Sequence, residues 1–90
     1  MKYWIADIQE QNGEFEYTTP IRFKAETEEA AGSTQSFRVS TWYGENMEWD
    51  ENDNCYWNDH VAVYAGALTE IDEHTFNALA KHSSLPDMTL

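Results

Sequence analysis

Basic residues are what this chain most lacks: five Lys and Arg stand against 17 Asp and Glu among 90 residues, a formal net charge of −12. Direct binding of DNA, RNA or an anionic membrane surface depends on Lys and Arg to replace condensed counterions, so the deficit argues against those partners. It favours a cationic one. An imbalance of this size costs stability through self-repulsion and is tolerated mainly where it serves solubility or steering. Cysteine is nearly absent as well. Cys55 stands alone, so no internal disulfide and no oxidising compartment are implied. No segment approaches the ~20 apolar residues of a membrane span. The opening Met1-Lys2-Tyr3-Trp4 leads into a short apolar stretch broken by Asp7, which is no secretory signal. A soluble, cytoplasmic protein is expected.

Aromatic residues are plentiful: four Trp, five Tyr and four Phe in a chain that is 41% hydrophobic. A disordered acidic tail would be poor in such residues. Each ring buries roughly 150–250 Å², enough for a small core without staples. Residues 1–90 therefore read as one acidic α+β domain, with 84–90 expected to fray. No repeat, linker or low-complexity segment interrupts it.

Residues 2–9 are rich in aromatic and β-branched types and read as a strand. Asn12-Gly13 is a hairpin signal. In residues 14–24, Phe15, Tyr17, Ile21 and Phe23 alternate with Glu14, Glu16, Arg22 and Lys24, the pattern of a strand with one wet face. Pro20 makes that strand an edge or marks a bulge. Residues 26–43 carry two signals. Thr27 before Glu28 and Glu29 resembles a helix start, with Ala30, Thr34, Phe37 and Thr41 on one stripe. Phe37, Val39, Thr41 and Tyr43 also alternate like a strand; the helix is preferred here. Residues 45–54 read as an acidic loop. Short strands follow near 55–57 and 60–68, the second apolar enough to be central. Asp72 reads as the N-cap of a last helix, with Ile71 and Phe76 as its hydrophobic staple. The expected layout is ββαββα: a small antiparallel sheet of about four strands, with one or two helices packed on one face.

The acids are unevenly spread. Residues 1–44 carry a net −3 and residues 45–90 a net −9, the latter with Lys81 as sole base. Six acids lie between Glu45 and Asp59. Asymmetry of this kind marks a face or a loop. Asp50, Asn52 and Asn54 match the first three ligand positions of an EF-hand loop, but Cys55 stands where Gly is needed and Val61 where the bidentate Glu belongs. Cys55, His60 and His74 lack the paired spacing of a zinc site. No nucleophile elbow, Gly-rich phosphate loop or Cys-His signature is present, and His74 and His82 read as surface residues. Neither an enzyme, a cofactor nor a metal is implied. Trp49 and Trp57 lie among the acids and suit either the core or an interface anchor.

In size, net charge, lone Cys, the acidic stretch Glu45–Asp59 and the cluster Glu70, Asp72 and Glu73, the chain resembles the small acidic inhibitors encoded by phages and plasmids, among them anti-CRISPR proteins and DNA-mimic antirestriction proteins. The likeness is one of class, and no diagnostic motif is shared. It implies a bacterial host cell and a cationic, nucleic-acid-handling partner such as a CRISPR effector or a restriction enzyme. Glu45, Glu48, Trp49, Asp50, Glu51, Asp53, Asp59, Glu70, Asp72 and Glu73 are the expected partner-binding residues. Two alternatives stand beside this: an accessory module that pairs as a homodimer through a strand edge, and a weak calcium-binding module.

Overall fold

Strand β1 (Lys2–Asn12) turns back into strand β2 (Phe15–Ala25) at Gly13, which takes φ of 62°. Asn12 pairs with Phe15, so the two-residue loop is Gly13-Glu14, one position later than the Asn-Gly pair suggests. Positive φ at the first loop residue alone is the type II′ pattern, which matches the twist of the flanking strands. Helix α1 (Glu28–Ser40) follows, then β3 (Glu48–Asp50), β4 (Cys55–Asn58), β5 (Val61–Ile71) and helix α2 (Glu73–His82). This computed structural model describes all 90 residues.

The architecture is α+β: one antiparallel sheet of five strands, ordered β2-β1-β5-β4-β3, with two helices. The apolar strand β5 is central, as its sequence suggests. Pro20 lies in the edge strand β2, where its missing N–H costs no ladder bond within the sheet. The fifth strand is β3, three residues from the stretch that reads as loop. It forms because Trp49 stacks on Tyr56 across the pair, at 4.9 Å between centroids.

Alternation sorts the strands into two faces. Trp4, Ala6 and Ile8 of β1 and Ile21, Phe23 and Ala25 of β2 are buried against Ala31 and Val39 of α1. Thr27 caps this helix, accepting from the Ala30 amide at 3.1 Å. Its buried stripe is Ala31, Thr34, Gln35 and Val39, while Phe37 is exposed. The stripe expected through Ala30 and Phe37 is thus displaced. The reason is a polar contact. Opposite Asp7, β5 carries one extra residue, because Ala6 pairs with Leu68 but Ile8 with Ala65. Gln35 donates from Nε2 to the carbonyls of Asp7, Gly66 and Ala67 at that bulge, at 3.1, 3.2 and 3.3 Å. Seating an amide there rotates α1 so that Gln35, not Phe37, faces the sheet.

α2 lies against the other face. Its N-cap Asp72 accepts from the Thr75 amide at 2.7 Å. Phe76 is buried against Tyr3, with ring centroids 5.0 Å apart, beneath the Arg22 guanidinium at 4.5 Å. Residues beyond α2, read in the sequence as a fraying tail, bond back to the fold. Met88 donates its amide to the Arg22 carbonyl at 2.8 Å, Arg38 donates to the Met88 carbonyl at 3.0 Å, and Asp87 forms a parallel bridge with Arg22. The tail is anchored because it supplies partners for the outer edge of β2, which would otherwise present unpaired backbone groups. No helix is long and apolar enough to cross a membrane.

Candidate functional site

The β3–β4 hairpin is held by Asp50. Its Oδ1 accepts from the amides of Asn52 and Asp53 at 2.9 and 3.3 Å, and its Oδ2 from the Trp57 indole at 3.2 Å. The Asp53 amide first, with Trp57 and Asn52 after it, holds the Asp50 carboxyl below the usual carboxylate range. Asn54 takes φ of 52°, a left-handed position that Asn tolerates, to close the turn. Asp50 is thus the hairpin's own cap. Glu45, Glu48, Glu51, Asp53 and Asp59 make no such bond and are all exposed.

Register carries this hairpin to one end of the sheet. Asn12 pairs with both Phe15 and Val61, and Val61 pairs with Asn58. The Gly13-Glu14 turn and the Asp59-His60 turn therefore lie side by side. Glu14 and Glu16 from the first half of the chain join Asp59 there, with Glu48 two positions in from that end opposite Trp57. Glu51 and Asp53 lie about 13 Å further along, on the turn at the other end of the four-residue β4, and no Lys or Arg stands among these acids. Sequence reading missed Glu14 and Glu16, since residues 14–24 balance them against Arg22 and Lys24. Only the long-range pairing of β1 with β5 brings them over.

A row of side chains crosses all five strands near this end: Tyr17, Glu10, Val63, Tyr56 and Trp49 are successive cross-strand partners. Glu10 is buried and accepts from the Tyr43 hydroxyl, whose own ionisation that bond pushes up. Phe15, Tyr17, Tyr43 and Trp49 remain between 48% and 66% exposed. Trp57 is half-buried, so of the two tryptophans among the acids, Trp49 is the open one.

The second acidic cluster lies elsewhere. Glu70 and Asp72 are at the far end of β5, roughly 30 Å from Asp59 along an 11-residue strand. There, each acid has a local partner. Glu70 sits 3.8 Å from Lys2, Asp72 caps α2, and Glu73 accepts from the Tyr3 hydroxyl at 3.0 Å. The structure does not join them to the residues 45–59.

Four of the five bases are likewise engaged away from the acidic end. Arg22 donates to the Leu85 carbonyl at 2.8 Å, and Lys24 lies over the Phe76 ring at 5.8 Å. Arg38 holds the tail, and Lys81 is in the last turn of α2. Cys55 is buried, and burial first, then the Asp50 and Asp53 charges, push its thiol ionisation up. No three His, Cys, Asp or Glu side chains converge as a metal-ligand set. The chain matches no known family, characterised protein or solved structure in comparisons with each.

Proposed function

We propose that the protein is an acidic, non-enzymatic inhibitor that binds a positively charged, nucleic-acid-handling protein or complex through the acidic end of its sheet. A CRISPR effector or a restriction enzyme is the partner class that the resemblance implies. The observation that carries the reading is the segregation of charge. Eight acids, Glu14, Glu16 and the six of residues 45–59, lie toward the half of the sheet that carries the Gly13-Glu14 turn and the β3–β4 hairpin, with no Lys or Arg among them, while four of the five bases make contacts near α2 and the tail.

Such a surface draws Lys- and Arg-lined channels by long-range attraction and competes with nucleic acid for them. Exposed rings give it something besides charge. Trp and Tyr dominate interface energetics, and Trp49 and Tyr17 lie on one row beside the acids. Self-pairing through β3 is disfavoured by the same features, because a three-residue edge carrying Glu48 and Asp50 repels its own copy.

A pull-down from bacterial lysate with the tagged protein, eluted in salt steps and read by mass spectrometry, tests this. The expected result is a nuclease, restriction enzyme or CRISPR complex that elutes below ~0.5 M salt, where exposed charge pairs are screened. Recovery of the bait alone, or of a partner indifferent to salt, would contradict it.

A further inference from the structure

The sheet face opposite α1 is covered at one end only. There α2 lays Phe76 against Tyr3, Arg22 and Lys24. Toward the acidic end, a cavity of about 490 Å³ is walled by Trp57, Tyr64, Asp53 and His60 over a floor of Cys55 and Ala62. Register accounts for the hollow. Trp57 pairs with Ala62 and Tyr64 with Gln9, so two large rings flank a methyl group and a thiol. Ala62 and Cys55 are buried beneath them, at 7% and 3% exposure. The Trp57 ring does not swing freely, because its indole N–H is bonded to Asp50 Oδ2 at 3.2 Å.

The lining has a defined chemistry. It holds two aromatic rings, one carboxylate, the His60 imidazole and the Gln11 amide, and no Lys or Arg. Glu48 is the cross-strand partner of Trp57, which sets a second carboxylate on the same face. The charges of Asp50 and Asp53 reach the floor, since both raise the ionisation of the Cys55 thiol. Anionic ligands are repelled from such a site, and a neutral apolar ligand would strip water from Asp53 without replacing its partners. A guanidinium suits the two rings and the carboxylate together. It is planar and weakly hydrated, it stacks on aromatic faces, and it donates to carboxylates. A lysine ammonium is more strongly hydrated and loses more on entry.

From this lining we infer that the cavity receives an arginine side chain from the surface of the partner protein, held by the Trp57 and Tyr64 rings and the Asp53 carboxylate. The inference rests on the proposed cationic partner and names the residue that the partner inserts.

The test titrates the isotope-labelled full chain with tetra-arginine amide and, at equal charge, tetra-lysine amide, read by nuclear magnetic resonance at low salt. The expected result is a saturable shift of the Trp57 indole signal with tetra-arginine, at an affinity several-fold above that of tetra-lysine. Ala62→Leu fills the floor without altering charge and weakens tetra-arginine binding by about fivefold, the loss of one cation–π contact. Tyr64→Ala, at a half-buried surface position, does the same and decides the matter if Ala62→Leu fails to fold. Equal affinity for the two peptides with no Trp57 response overturns the inference. Undiminished binding by both variants, with binding lost in Glu48→Lys/Glu51→Lys, overturns the cavity and leaves the acidic-end reading standing. No binding of either peptide overturns both.

Discussion

At one end of β1, Tyr3 packs on Phe76 of α2 while Arg22, Lys24 and the chain's own tail close over the neighbouring strand. At the other end, Asn12 leads into a bare Gly13-Glu14 turn beside Asp59, with no helix laid over the face that α2 covers elsewhere. The same two strands thus pass from a region where charges are neutralised locally to one where they are not. Glu70, Asp72 and Glu73 show the first regime: each has a partner within the fold. Glu48, Glu51 and Asp53 show the second. Acid content alone does not identify a binding surface; the test is whether the fold already uses the carboxylates.

This contrast is broken most strongly at the covered end. Phe76→Ala opens a cavity between α2 and the sheet and costs about 3–5 kcal/mol of unfolding free energy in denaturant melts. A cost near zero would mean that α2 does not seal that end. Next comes Gln35→Leu, which leaves the carbonyls of Asp7, Gly66 and Ala67 without their donor. It lowers stability by about 1–3 kcal/mol, measured the same way. Wild-type stability in this variant would show that water or a shift of α1 satisfies the bulge.

Much of the covered end is legible in the sequence, because its signals are local. Asp72 with Phe76 four residues later marks the start of α2, Thr27 marks that of α1, and Pro20 marks an edge strand. What escaped depends on distant partners. The stripe of α1 is set by Gln35 reaching a bulge 31 residues away in sequence. The tail docks through backbone groups of β2, which carry no side-chain signature. The strand β3 has acidic composition and three residues, and exists through Trp49 stacking on Tyr56. The candidate site was half legible: the run from Glu45 to Asp59 is visible as composition, whereas Glu14 and Glu16 join it only through register. Glu70, Asp72 and Glu73 resemble it in composition, and their partners Lys2, the Thr75 amide and the Tyr3 hydroxyl set them apart.

Acid should act on both regions. Asp50, Asp72 and Asp87 have carboxyls held below the ordinary range, first by the Asp53 amide, the Thr75 amide and the Thr89 hydroxyl respectively. A carboxyl whose folded pKa is lowered contributes stability that is complete above its unfolded value of about 3.9 and fades as the pH falls through the folded one. Stability should therefore drop below about pH 4. Asp72→Ala removes part of that drop and lowers the thermal midpoint at neutral pH by less than either core variant. An acid limb identical in Asp72→Ala and wild type would contradict the assignment.

The smallest effect on stability belongs to the open end. Glu48→Lys with Glu51→Lys leaves the unfolding free energy within about 0.5 kcal/mol of wild type, as surface changes generally do, and relieves some self-repulsion. The same pair of changes weakens capture of a cationic partner and flattens its salt dependence. A large loss of stability here would mean that these acids serve the hairpin, as Asp50 does.

The most direct measurement is hydrogen exchange of the full chain alone and with the captured partner. Slowed exchange confined to residues 10–17 and 45–64 is the predicted result, since those segments form the acidic end and the cavity beside it. Slowed exchange in α2 and the tail, with residues 45–60 unchanged, would contradict the account and place the interface on the end where the bases lie.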